Sequence, residues 1–256
     1  MLLDTCTSTC GLCRCKCDLR GMFYIALKDL RAYYFKPPNI SWGILFPFAF
    51  VLAFAIRNPG ETRDLVPGLL GLTILFGTSS MMAIVIVFEK RIGSLERLML
   101  APVSLAALLG GKMLGGMFFG LTVTGVVLAA ALAVFGAGSV NWLLLILAML
   151  LSAAAFSAMG AFVSVAVREV FEAQTLANFI RFPMMFLGGV FVPLAEMPPA
   201  LQVVARFLPL TYAVEALRAA LDGGAWGAAW VDLAALAGFA VVLFALAVRV
   251  LARRTD

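Results

Sequence analysis

The residues able to do chemistry in this chain are few, and their spacing excludes most reactions. There is no histidine among the 256 residues, which removes histidine-based triads, the paired-histidine zinc motif and any histidine proton relay. Gly110, Gly111 and Lys112 hint at a phosphate-binding loop. However, position 106 is Ala, Met113 stands where Ser or Thr is required, and the run enters an apolar helix. Nucleotide binding through a Walker motif is therefore excluded. All five cysteines, Cys6, Cys10, Cys13, Cys15 and Cys17, crowd into the first 21 residues. Zinc favours Cys-x-x-Cys pairs separated by a loop, and this crowding does not supply them, so no metal site is expected. Disulfides require an oxidising compartment, and palmitoylation of such a cluster requires a eukaryotic setting. No apolar signal-peptide core is present. Residues 1–21 are read as an unstructured tail, with Met22 as an alternative start.

Charges inside apolar runs are equally scarce. A proton- or ion-coupled carrier needs a carboxylate or an interrupted helix at mid-membrane, whereas Asp and Glu here fall in connecting segments or at the ends of apolar runs. Arg181 lies five residues into the run 176–192. Its long side chain can snorkel towards the head groups, with a counter-charge for a substrate as the functional alternative.

The elements that must position these residues are six long apolar stretches, at 40–56, 65–88, 105–135, 142–167, 176–192 and 228–251. A soluble helix alternates apolar and polar faces, while a bilayer span of about 20 residues is apolar all round. With 63% hydrophobic and 13% charged residues, a soluble fold would leave large apolar patches exposed. Runs this long without alternation are helices rather than barrel strands. The expected fold is an all-α integral membrane protein, with a tail over 1–21 and a six-span domain over 22–256. Small and hydroxyl residues recur within the spans, among them Thr78, Ser79 and Ser80. Gly111 to Gly115 and Gly116 to Gly120 are spaced for close helix contact.

Basic residues in short loops are retained on the cytoplasmic side. Placing both termini inside puts 15 of the 19 Lys and Arg inside and leaves Arg57, Arg63, Arg206 and Arg218 outside. The net charge of +5 then reflects retention and lipid head groups, not nucleic acid.

Three pieces do not span. Residues 22–35 carry Phe23, Leu27, Leu30 and Tyr34 at helical spacing opposite Lys28, Asp29, Arg31 and Lys36, which reads as an amphipathic helix in the inner interface. A juxtamembrane extension of the first span is the simpler alternative. In the inner segment 89–104, Glu89, Lys90, Arg91, Glu96 and Arg97 precede Pro102. Leu95, Leu98 and Met99 can line one face of a short helix that Pro102 ends; an ordinary solvated loop is the alternative. The outer segment 193–224 is too apolar for a solvated loop and is broken by Pro193, Pro198, Pro199 and Pro209. Its pieces 199–208 and 211–221 are each roughly 15 Å long as helices, half of a crossing. They read as a re-entrant hairpin in the outer leaflet, with Glu215 and Arg218 paired across one turn.

At FEKRIGSLERLMLAPVSLAALLGGK (88–112) and FLGGVFVPLAEMPPALQVVARFLPLTYAVEALR (186–218) the chain resembles the permease subunits of type-2 ATP-binding-cassette transporters. That exporter family includes nodulation-factor, daunorubicin-type drug and polysaccharide permeases. Glu89, Gly93, Glu96 and Pro102 match the first stretch of the family pattern. Gly188, Gly189, Phe191, Pro193, Met197, Pro198, Pro209, Leu210, Thr211 and Tyr212 match the second. The resemblance runs from about Met22 to the C-terminus and leaves only the cysteine-rich tail without counterpart.

The resemblance implies a transport subunit without catalysis of its own, in the plasma (inner) membrane, paired with a second permease chain as a homodimer or heterodimer. ATP and Mg would be held by a separate ATPase subunit. It also implies that Glu89, Arg91, Gly93, Glu96, Arg97 and Pro102, with the helix bearing Phe23, Leu27, Leu30, Arg31 and Tyr34, transmit nucleotide-driven closure. Thr78, Ser79, Ser80, Asn178 and Met185 become candidates for lining the path. Gly188, Gly189, Phe191, Pro193, Pro209, Thr211, Tyr212 and Glu215 become candidates for an outer gate. The cargo would be amphipathic: a drug, a lipid-like molecule or a glycan. The competing classes are an ATPase-independent secondary transporter or channel, disfavoured by the scarcity of buried ionisable groups, and a non-transporting assembly factor, for which a re-entrant segment has no use.

Overall fold

A computed structural model describes residues 11–34, 49, 65–94, 98, 100, 103–136, 140–192, 194–223 and 226–255. Among the described residues all regular structure is helical. Helix α1 (Gly11–Asp29) runs into a π-helical turn (Leu30–Tyr34). Helices α2 (Val66–Arg91), α3 (Leu105–Phe135), α4 (Trp142–Ala166) and α5 (Val170–Leu187) follow. After a 3-10 turn (Leu194–Glu196) come α6 (Pro199–Ala205), α7 (Pro209–Leu221) and α8 (Trp226–Thr255).

Local chemistry sets several boundaries. Pro67, Pro199 and Pro209 stand in first turns, where a missing N–H costs nothing. Ser104 caps α3 by accepting from the Ala107 amide at 3.2 Å, and Asn141 caps α4 by accepting from Leu144 at 3.3 Å. Helix α2 ends where Gly93 adopts φ +68° and its amide returns to the Lys90 carbonyl, a left-handed stop that suits glycine.

Helix α2 is the centre of the bundle. It packs on α3, α4, α5 and α7, while α8 lies along α4 and α1 along α3. Of its most apolar stretch 78% is buried, against 22% for α3 and 17% for α8. In lipid the gain from such burial is close packing rather than escape from water, and small residues provide it. A Cβ on Gly120 would fall 2.3 Å from Thr78 Cγ2, and one on Gly160 2.7 Å from the Ser79 carbonyl oxygen. The helices therefore meet at near-backbone distance.

Among the described residues, four helices are long and apolar enough to cross a membrane: Val66–Arg91, Leu105–Val134, Trp142–Ala166 and Ala229–Arg253. The pair α6 and α7, bent by 95°, adds a fifth if it is one broken span. These helices match four expected runs to within a few residues. Apart from residue 49, the run 40–56 lies outside the described residues. Helix α5 covers 170–187 instead of 176–192, and Glu172, Gln174, Asn178 and Arg181 make it too polar to qualify as an independent span. Helix α1 begins at Gly11, within the stretch 1–21 read as a tail, and residues 1–10 lie outside the described residues.

Candidate functional site

Three elements converge on a buried charge cluster. Lys28 and Asp29 end α1, Glu89 lies in the last turn of α2, and Lys112 stands two turns into α3. Lys112 Nζ donates to Asp29 Oδ2 at 3.0 Å and also to Glu89 Oε2. Lys28 Nζ donates to Glu89 Oε1 and sits 3.2 Å from Asp29 Oδ1. The side chains of Asp29, Glu89 and Lys112 have 0% exposure, and that of Lys28 has 38%. Two cations and two anions thus form a closed, neutral ring. Such a ring is tolerable inside protein because each charge has two partners; removing one member strands another. Burial works against the Lys28 charge, but its hydrogen bond to Glu89 and the attraction of Asp29 hold its pKa above the usual lysine value. For Asp29, burial outweighs the pull of Lys112 and raises the carboxyl above its usual range.

Packing around the ring is equally specific. Gly111 faces α1 so closely that a Cβ there would lie 2.8 Å from the Met22 carbonyl oxygen, and Gly21 meets Val103. Asp18 adds a polar tie by accepting from the Ser104 amide at 3.1 Å and from its hydroxyl at 2.9 Å. The cap of α3 is thereby fastened to α1. Ile25 packs with Met82, Leu108, Leu109 and Met113.

The expected polarity of α1 is corrected at Asp29 by these contacts. Phe23 on the apolar face is 64% exposed, Leu27 and Leu30 are half-buried, and Arg31 is exposed. Asp29, placed on the solvated face, is buried instead. The cause is that α1 docks on protein, through Ile25, Ala26 and Asp29, rather than on lipid alone. The Tyr34 side chain lies outside the described residues. Glu89, expected in the inner segment, belongs to a helix and is buried by Lys112 and Lys28. Beyond it Arg91 and Ile92 are exposed, and Gly93 makes the turn. Glu96, Arg97 and Pro102 lie outside the described residues. Lys112 escaped sequence reasoning as a site. A lone lysine within an apolar run is costly enough to require partners, and that was the available signal.

Halfway along α2 a second polar group occurs. Arg181, from α5, is wholly buried. Its Nε donates to Ser79 Oγ at 2.8 Å, its Nη1 donates to Asn178 Oδ1 at 3.1 Å, and its carbon lies 5.6 Å from the Phe76 ring centre. The expected snorkelling does not occur, because the side chain is fixed sideways onto α2. Ser79 and Asn178 are therefore brought together, while Ser80 is half-buried nearby in sequence. Thr78 is turned to Gly120, its hydroxyl donating to the Ile74 carbonyl at 2.7 Å, and Met185 is buried in the main core.

At the other end of α5, Gly188 is packed under Leu210, and Gly189 turns the chain at φ +73°. Phe191 is half-buried with its ring 6.0 Å from that of Phe186. Helices α6 and α7 are joined by Thr211 Oγ1, which donates to the Ala205 carbonyl at 2.6 Å, and by the Tyr212 hydroxyl, which donates to the Arg206 carbonyl at 2.8 Å. Pro209 is buried at the start of α7 and Glu215 half-buried within it. The expected Glu215–Arg218 ion pair is not among those formed by the described residues; Arg218 Nη2 reaches the Gly189 carbonyl at 3.4 Å instead. Pro193 lies outside the described residues.

Known proteins share this chain's pattern. The inner membrane transport permease YadH of Escherichia coli (strain K12) is 27% identical over 154 residues, 60% of this chain and 60% of YadH. Nodulation protein J of Rhizobium meliloti is 36% identical over 72 residues, 28% of each chain. Nodulation protein J of Rhizobium leguminosarum bv. viciae is 27% identical over 134 residues, 51% of this chain and 50% of that protein. The matched stretch spans no more than about 60% of the length of these curated relatives. The profile of the ABC-2 type transporter family matches residues 21–221, from the middle of α1 to the end of α7. With most of its length inside that match and at least four helices able to cross a membrane, the chain belongs to the ABC-2 type transporter family.

Proposed function

We propose that this chain is the transmembrane subunit of an ATP-driven exporter that moves an amphipathic cargo outward. The observation that carries the reading is the neutral ring of Lys28, Asp29, Glu89 and Lys112, which clamps α1 onto the ends of α2 and α3. The exposed turn at Arg91 to Gly93 follows directly. A partner ATPase carrying ATP and Mg would press on that turn and on α1. Because buried ion pairs are rigid and little screened, the push would move α2 and α3 together rather than peel α1 away. Helix α2 would then carry the displacement to Ser79 and Asn178 and onward to the α6–α7 hairpin.

In this reading two permease chains, identical or sister, flank the path in the plasma (inner) membrane, and both termini are cytoplasmic by the distribution of basic residues. Six spans result if 40–56 and α5 also cross. The hairpin would be re-entrant from the outer side, its α7 backbone shielded by α2, α4 and α8 as lipid requires. Gly188, Gly189 and the residues bridging α6 and α7 would form an outer gate, and its low charge suits an amphipathic cargo.

The test uses the permease reconstituted with its ATPase subunit. Arg91→Glu changes an exposed side chain outside the ring. Co-purification and thermal stability should be unchanged, while the gain in ATP turnover on association with the permease falls. A full gain in the variant would refute a transmitting role for this turn.

A further inference from the structure

We propose that α5 is a hinged strap across α2: it bends outward at Pro183, and Arg181 favours the bent state because bending gives its guanidinium to water. The proposal rests on the exporter reading above, in which it names the element that moves when the path opens.

Helix α5 is held from one side and at its two ends. Ala173, Ala177, Arg181 and Met184 are buried, while Phe171, Phe179, Phe182 and Phe186 are 83%, 76%, 47% and 61% exposed. Its principal partner is α2, with lesser contact to α4, α6 and α7. Val167 to Glu169 tie its start to α4, and at its end Gly188 fits so closely that a Cβ there would lie 2.8 Å from Leu210 Cγ. Freedom is therefore left to the middle. There Pro183 has no N–H to give the Phe179 carbonyl, which removes one rung of the helix ladder and sets the place to bend. Arg181 stands within that interrupted turn.

Arg181 is wholly buried, and no ion pair among the described residues involves it. Nε and Nη1 donate to the neutral oxygens of Ser79 and Asn178, the Phe76 ring faces the guanidinium carbon, and Nη2 has no hydrogen-bond partner. A guanidinium stays charged and carries five N–H donors. In this seam it has exchanged its water for two neutral acceptors and one ring face, and a buried charge without a counter-charge is costly. Packing α5 flat against α2 is thus opposed by the side chain that fills the contact, which leaves the flat and bent forms close in free energy. Bending lifts Arg181 from Ser79 and admits water to every donor. Ser79 keeps its own bond to the Leu75 carbonyl. One turn away from Ser79 and Arg181, the same movement uncovers Ala83 and Ala177, which are buried together with Val163.

The experiment uses the permease–ATPase complex in nanodiscs, cysteine-free except for Ala83→Cys, and N-ethylmaleimide as the probe. Ala83 is 0% exposed, so the labelling rate reports how often α5 is bent. Arg181→Met fills the seam with an apolar side chain; it should slow labelling roughly fivefold or more and raise the midpoint of thermal unfolding, since apolar replacement removes the cost of the buried charge. Arg181→Lys retains a charge and should label at nearly the unsubstituted rate. Pro183→Ala restores the missing donor and should slow labelling as well. An unchanged rate in folded Arg181→Met would overturn the proposal. So would faster labelling with a lowered midpoint, which would make Arg181 a staple, and so would Arg181→Lys as slow as Arg181→Met. Should Arg181→Met not fold, an unchanged rate in Pro183→Ala would overturn the hinge. These rates are read first without nucleotide and then with ATP. Arg181 protein that outpaces Arg181→Met but does not respond to ATP overturns the exporter reading alone, and an ATP response with no difference between the two overturns the strap alone.

Discussion

Replacing Lys112 by Met should release α1 from the bundle, and the reason is charge parity. Wild type buries two positive and two negative groups in one ring, three of them with no exposed side-chain surface. Lys112→Met leaves Asp29 and Glu89 sharing Lys28, the one member that reaches solvent. Stranding a buried charge in this way costs about 3–5 kcal/mol. At about 1.4 kcal/mol per decade, the undocked fraction of α1 should rise roughly a hundredfold to a thousandfold or more. Glu89→Gln, which strands a lysine, should cost a similar amount. Their combination removes one charge of each sign and leaves Lys28 beside Asp29, so the double variant should be about 2 kcal/mol or more better than the sum of the singles. The combination Asp29→Asn with Glu89→Gln leaves two lysines together and should be worse than either single. Tryptic cleavage at Arg20 on α1 and Arg31 in the π-helical turn that follows, both exposed, measures the undocked population when docking is fast relative to cleavage. Strictly additive costs in both double variants would show that the ring's neutrality is not what holds α1, and the transmission scheme would lose its rigid link.

Four further outcomes can be checked, three on the docking of α1 and one on the distribution of basic residues. Gly111→Val would drive a Cβ to 2.8 Å from the Met22 carbonyl oxygen and 3.0 Å from its Cα; faster cleavage of α1, equivalent to about 1–3 kcal/mol, is expected. Gly125→Ala, which meets nothing within 4 Å, is the control and should leave cleavage unchanged. Asp18→Ala removes both ties to Ser104 and should weaken α1 docking by about 1–3 kcal/mol. Truncation of residues 1–10 should be harmless while truncation through residue 21 is not; equal cleavage rates for the two would discard the Asp18 contact. In a cysteine-free background, an impermeant thiol reagent applied from outside should label Ala200→Cys and not Ser94→Cys. The reverse pattern would invert the proposed topology.

The bundle was legible wherever apolar composition alone decides the outcome. Helices α2, α3, α4 and α8 follow from uninterrupted apolar runs, and the close approach at Gly111, Gly116 and Gly120 from their spacing. The partners were not legible, because contacts such as Lys112 with Asp29 join positions 83 residues apart and no local pattern encodes them. Asp29 was placed on a wet face since helical periodicity records which residues share a side, not whether protein or water covers it. Arg181 was given a route to the head groups for a similar reason: snorkelling depends on the space beside the helix, and Ser79 fills that space with an acceptor. The α6–α7 bend at the Pro209 break was visible in the proline spacing, whereas its ties through Ala205 and Arg206 carbonyls required coordinates.

Burial of α2 has a consequence for biosynthesis. A chain made from its N-terminus delivers α2 to the bilayer before α4, α5, α7 and α8 exist, so the most enclosed of the four described membrane-crossing helices meets lipid before these neighbours. Three of its four hydroxyls are equipped for that interval. Thr73 donates to the Leu69 carbonyl at 2.8 Å, Thr78 donates to that of Ile74, and Ser79 to that of Leu75. Each hydroxyl proton is satisfied by the helix's own backbone, which lowers the cost of inserting it alone. The oxygens keep a free lone pair, and when α5 arrives Ser79 can accept from Arg181 without giving up its first bond. The nascent helix can therefore wait in lipid and recruit its neighbours afterwards, with assembly order written into hydroxyl geometry.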